Sequence, residues 1–63
     1  MYVIKRIEKN IPGQRMVMFV AARDDKNIYW TFDVDYAMDW KRKKDAIRFK
    51  ARLGLGGNVV RKP

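Results

Sequence analysis

Strand-length runs rich in β-branched, aromatic and other apolar residues, separated by turn residues, fill the first half of the chain, and a helical period appears only near its end. Residues 2–9 mix β-branched, aromatic and charged types over one strand length. Asn10-Ile11-Pro12-Gly13 follows with turn chemistry, because proline sets φ and glycine permits the left-handed region. Arg15 to Ala22 predicts the most hydrophobic strand, with Val17, Phe19 and Ala21 on one face and Met16, Met18 and Val20 on the other. A strand apolar on both faces belongs in the middle of a sheet. Arg23-Asp24-Asp25-Lys26-Asn27 reads as a polar turn, after which Ile28 to Asp33 alternates again, with Ile28, Trp30 and Phe32 sharing a face. Three such strands in succession form an antiparallel meander.

Val34 to Trp40 fits neither period. Asp35-Tyr36-Ala37-Met38 could make one helical turn, and the segment is expected to be a connection anchored by Ala37 or Met38 and by Trp40. From Arg42 to Leu53 strong helix formers dominate, and Gly54 is a natural residue just past a helix end. Taking Ala46 as zero on a wheel of about 100° per residue, Leu53 falls at about −20°, Phe49 at about −60° and Ile47 at about +100°, the expected core arc. Lys44, Arg48, Lys41 and Arg52 fall at about 160°, 200°, 220° and 240°, a basic stripe on the far side. Leu55-Gly56-Gly57 reads as a flexible turn and Asn58 to Pro63 as a short last strand. The expectation is one α+β domain over 1–63, a small antiparallel β-β-β-α-β sheet with one helix packed on one face. One helix covers one face, so an uncovered apolar face is predicted opposite it.

Composition narrows the chemistry. The chain has 63 residues with no histidine, no cysteine, no serine and a single threonine, Thr31. That inventory argues against hydrolase triads, thiol enzymes and zinc sites, and the expectation is a protein that is not an enzyme and takes no cofactor or metal. The start lacks the apolar core of a secretory signal, and the longest apolar run, Met16 to Ala22, is seven residues where a spanning helix needs about 20. A cytoplasmic protein with no membrane partner is expected. An apolar share of 48% with eight aromatics is rich enough to fold, although a core of this size rarely supplies more than about 3–5 kcal/mol. Self-association is therefore a live possibility.

Charge is distributed unevenly. Residues 1–40 hold six basic and six acidic side chains, whereas residues 41–63 hold nine basic ones against Asp45 alone, so the whole excess of +8 lies in the last 23 residues. Such a field attracts phosphate or an acidic protein face. Lys44, Arg48 and Arg52 at i, i+4 and i+8, with Lys41, Arg42 and Lys43 at the helix start and Arg61 and Lys62 in the tail, could follow successive phosphates. A solvated face that keeps a small protein soluble is the competing account. Cations at a helix N-terminus oppose the dipole, so helix stability does not explain Lys41 to Lys44.

Aromatic side chains near this segment could stack on bases, and Trp40, Trp30, Tyr29 and Tyr2 are the candidates. Trp30, in line with Ile28 and Phe32, is better explained as core, and Tyr29 is the better exposed. Asp33, Asp35 and Asp39 lack the loop glycine and terminal glutamate of a calcium loop, so Asp35 or Asp39 is expected to offset cations or cap a turn. Gly54-Leu55-Gly56-Gly57 follows a helix and lacks a downstream Lys-Ser/Thr, so it is no phosphate loop.

Tyr2-Val3-Ile4-Lys5, Trp30-Thr31-x-Asp33 with Ala37 four residues on, and Lys43-Lys44-Asp45-Ala46-Ile47 leading to Leu53-Gly54 and Val59-Val60 resemble the pattern of small β-β-α-β proteins encoded by bacteriophages. Arg42 departs from it, since such proteins tend to have Ser or Thr as the helix cap. The resemblance implies an accessory protein acting in the cytoplasm of an infected cell by binding host or phage macromolecules. It carries over no functional residue. Two functions are expected from these features. The first is a nucleic-acid-binding module using Lys41, Arg42, Lys43, Lys44, Arg48, Arg52, Arg61, Lys62, Tyr29 and Trp40 on DNA or RNA. The alternative is a protein-interaction module or inhibitor that meets a host protein through the uncovered sheet face and the basic helix, with a homodimer compatible with either.

Overall fold

The computed structural model describes residues 1–8, 13 and 15–63. Four strands, β1 (Tyr2–Glu8), β2 (Met16–Arg23), β3 (Ile28–Thr31) and β4 (Asn58–Arg61), form one antiparallel sheet in the order β3-β2-β1-β4. One helix, α1 (Lys43–Leu53), lies over β1 and β4. This is the small α+β fold that the pattern predicts. Both β1 and β2 are interior strands, and β2 begins at Met16 and runs on to Arg23. The expected turn at Asn10-Ile11-Pro12 and the end of the first strand at Lys9 lie outside the described residues.

Register sets the two faces. Lys5 faces Phe19 across β1 and β2, Ile4 faces Val59 and Val20 faces Trp30. Alternation then puts Tyr2, Ile4, Arg6, Val20, Trp30 and Val59 on one face, and Val3, Lys5, Ile7, Phe19, Thr31 and Val60 on the other. The helix sits on the first: the Phe49 ring packs at a tilt against Trp40, the bridge partner of Tyr2, with ring centroids 5.0 Å apart, and Leu53 borders the same groove as Ile28. Ile4, Val20 and Ala46 are fully buried between the layers. Trp30 is half-buried on this face, with the Arg6 guanidinium 5.4 Å from its ring, and Arg6 is ion-paired to Glu8.

Two expected core residues are not core. Ile47 is 48% exposed and Phe32 is 65% exposed. A helix of 11 residues resting on two strands uses a narrow strip of its surface, and Ile47, about 100° from Ala46, falls outside it. Phe32 loses its place because β3 stops at Thr31, where the Thr31 hydroxyl takes the Asp33 N–H at 3.1 Å and turns the chain.

The connection that follows is ordered by capping. Val34–Tyr36 forms a 3₁₀ turn against β2, capped by Asp33, whose carboxylate accepts the Asp35 N–H at 2.9 Å. The cap is thus Asp33, not Asp35. The ladder between β1 and β2 runs from Glu8–Met16 to Lys5–Phe19, and β2 is bulged between Val20 and Ala22. A bulge bends its strand, and residues 38–40 take up the vacated edge. Met38 N–H donates to the Val20 carbonyl at 2.8 Å, and Trp40 and Tyr2 exchange both backbone bonds at 2.8 and 2.9 Å. Met38 and Trp40 are the anchors expected for this segment.

Helix α1 ends in a Schellman motif, with Gly54 N–H donating to the Ala51 carbonyl, Leu55 N–H to the Lys50 carbonyl, and Gly54 at φ 63°. Its other end is poorly capped, because Arg42 at the cap position makes no side-chain bond to the first turn. Arg42→Ser is therefore expected to stabilise the protein by about 1 kcal/mol, which a thermal melt would register as a rise of roughly 4–8 °C. An unchanged or lower melting temperature would contradict this cap geometry.

Candidate nucleic-acid interface

The basic stripe is in place: Lys41, Arg42, Lys43, Lys44, Arg48 and Arg52 are all exposed. Among the described residues the ion pairs are Arg6–Glu8 and Lys62–Asp39, so none of the α1 cations is matched within the protein. Lys62 differs from them, since its ammonium lies 3.4 Å from the Asp39 carboxylate and part of its charge is already answered. Arg61 is exposed on the edge strand β4, opposite Tyr2.

Trp40 joins the stripe. Its ring, tilted 48° to Phe49, helps to form the wall of an open groove of about 180 Å³ whose other sides are Asp45, Arg48, Phe49 and Arg52. Pockets that enclose a drug-sized ligand run to roughly 300–1,000 Å³. This groove is a surface on which one planar group can lie, flanked by two guanidiniums. The geometry follows from the helix. Asp45, Arg48, Phe49 and Arg52 are spaced three and four apart on the flank of α1 turned toward Trp40, and the bridge to Tyr2 fixes Trp40 beside that flank.

The structure thus brings Trp40, Arg48 and Arg52 together and adds Asp45 and Phe49, which the sequence pattern marked only as the lone acid of the tail and a core residue. Their i, i+4 spacing shows that they share a flank. That Trp40 lies against it depends on pairing between residues 38 positions apart, which periodicity does not reveal.

Tyr29 belongs elsewhere. It is 50% exposed, but the register places it on the sheet face opposite α1. Its hydroxyl donates to Asp24 at 2.7 Å, while the other carboxylate oxygen accepts the Lys26 and Asn27 N–H groups of the β2–β3 turn at 2.9 and 2.7 Å. The Tyr29 hydroxyl foremost, and then the two backbone donors, hold the Asp24 carboxyl below its ordinary pKa. A lowered folded-state pKa contributes stability above the ordinary carboxylate range, and that contribution is lost as pH falls through the depressed value. Tyr29→Phe should move the Asp24 titration upward, toward the ordinary carboxylate value, as followed by carboxyl-carbon NMR. No movement would show that the turn amides alone hold the charge.

Among the described residues, no three His, Cys, Asp or Glu side chains come together as metal ligands, and no helix is long and apolar enough to cross a membrane. Comparison with protein-family models, curated proteins and solved structures finds no match for this chain.

Proposed function

We propose that the chain is a non-enzymatic nucleic-acid-binding module. Arg48 and Arg52 take phosphates, Trp40 stacks on a base, and Lys41 to Lys44 with Arg61 supply the surrounding field. The observation that carries this is the groove in which an aromatic wall and two unmatched guanidiniums of α1 meet. Aromatic platforms within a basic track are how single strands are held without extensive base readout. A role as a phage accessory protein is part of the proposal and rests on the sequence resemblance alone.

The test is fluorescence anisotropy of labelled single-stranded DNA, duplex DNA and RNA titrated with the protein at low and near-physiological salt. Micromolar or tighter binding that persists at physiological salt supports the proposal. Binding confined to low salt, equal for every polymer, is generic attraction and overturns it.

A second reading rests on the opposite sheet face. Ile7 is 43% exposed there and Tyr29 is 50% exposed, although Val3 on the same face is fully buried, so the exposed apolar area is patchy. Such a surface suits a protein partner or a second copy. A dimer by light scattering that becomes a monomer in Ile7→Glu would assign the face to self-association. A monomer that retains a stoichiometric partner after nuclease treatment would support the interaction module.

A further inference from the structure

We infer that the groove beside Trp40 selects an unpaired guanine, with Asp45 as the residue that reads it, an inference that rests on the nucleic-acid-binding proposal above. The anomaly that prompts it is electrostatic. Asp45 is the only acidic side chain in residues 41–63, and it lines the same groove as Arg48 and Arg52. A groove meant only for phosphate gains nothing from a carboxylate, which repels phosphate as strongly as each arginine attracts it.

A base changes the balance. An ionised carboxylate accepts hydrogen bonds and donates none. Guanine alone among the common bases presents two adjacent donors on its Watson–Crick edge, the N1–H and the N2 amino group, which match the two oxygens of one carboxylate. Adenine and cytosine each place an acceptor nitrogen beside their amino group, and thymine and uracil flank one N–H with two carbonyl oxygens. All four meet the carboxylate with at least one repulsive neighbour. The guanine edge is occupied in a duplex, so the target is a single strand or a loop, where recognition by stacking and Watson–Crick-edge bonds is the rule.

The placement of the other side chains suits this division of labour. Trp40 offers a ring to stack on, while Arg48 and Arg52, one helical turn apart, are free of internal ion pairs and flank the position of the base. Asp45, in the first turn of α1, is also favourable to the helix dipole and offsets Lys43 and Lys44 beside it, a contribution to stability that is independent of which base the groove takes.

The experiment uses the whole protein and labelled 12-mers of thymidine that carry one central dG, deoxyinosine, dA, dC or dT, with anisotropy read at near-physiological salt. Deoxyinosine keeps N1–H and O6 and lacks only the amino group. The dG strand is expected to bind about ten-fold more tightly than the deoxyinosine strand and more tightly still than all-thymidine, a charge-assisted bond being the difference. In Asp45→Asn these preferences should collapse, while affinity for the all-thymidine strand holds or rises because a negative charge has gone. Equal, salt-resistant binding of all five strands by the unaltered protein would overturn guanine selection and leave the phosphate groove standing. A dG preference that persists in a folded Asp45→Asn, checked by circular dichroism, would overturn the role of Asp45. No binding to any strand would overturn the nucleic-acid reading itself. Should Asp45→Asn fail to fold, the dG against deoxyinosine comparison in the unaltered protein still decides whether the amino group is read.

Discussion

Reversing both groove arginines, Arg48→Glu with Arg52→Glu, is expected to weaken single-stranded DNA binding by about 100-fold and to flatten its salt dependence by about 1.4 in log–log slope, the share of two phosphates at roughly 0.7 each. The fold should survive, because both side chains are exposed and glutamate is as good a helix former as arginine. The informative control is Arg15→Glu with Lys26→Glu, two exposed cations on either side of β2. Both doubles lower the net charge by the same amount from +8. If binding is attraction to a basic protein as a whole, the two weaken it equally. If phosphates sit in the groove, only the first removes the high-affinity phase, and the control changes affinity by no more than a few-fold through the long-range field. Equal losses would return the basic stripe to its competing role as a solvated face.

What was legible in the sequence was governed by local chemistry. Gly54 marked the helix end because only a residue at ease at positive φ closes a Schellman motif, and the helical period put Ala46 inside the expected core arc, where it is fully buried. Strand alternation likewise found β1 to β4 to within a residue or two. The failures came where tertiary placement decides. Ile47 lies on the arc that a wider sheet would bury, and the wheel holds no information about how many strands lie beneath the helix. Phe32 continues the alternation of β3 by one residue, but the Thr31–Asp33 turn ends pairing first. The groove was half legible: the stripe of Arg48 and Arg52 follows from helical spacing, whereas its aromatic wall depends on Trp40 pairing with Tyr2 beyond the point where the β1–β2 ladder ends, a long-range contact that periodicity does not contain.

The largest effect on stability is expected at Gly57. It enters β4 at φ 100°, and its Cα approaches the backbone of β1 so closely that a Cβ there would overlap the Lys5 carbonyl oxygen, with the Lys5 carbonyl carbon only 3.2 Å away and the Arg6 Cα 3.4 Å away. None of these atoms is the far end of a flexible side chain. Gly57→Ala must therefore combine backbone strain of about 1–3 kcal/mol with a displacement of β4 from β1, at the point where the Asn58–Lys5 pairing begins. A total of about 2–4 kcal/mol is the expectation, set against a core that at this size supplies roughly 3–5 kcal/mol. Because α1 rests on β4 as well as β1, detaching the strand also removes half of the platform of the helix, and with it the alignment of Arg48 and Arg52 against Trp40. Gly57→Ala should thus show a largely lost cooperative melt by circular dichroism and lose nucleic-acid binding in the same preparation. The neighbouring Gly56, where an added Cβ meets nothing within 4 Å, provides the contrast. Gly56→Ala is expected to be neutral or to stabilise by about 0.4–1 kcal/mol through the unfolded chain. If the two variants melt alike, β4 does not dock on β1 through this contact, and the groove does not depend on the sheet edge that Gly57 secures.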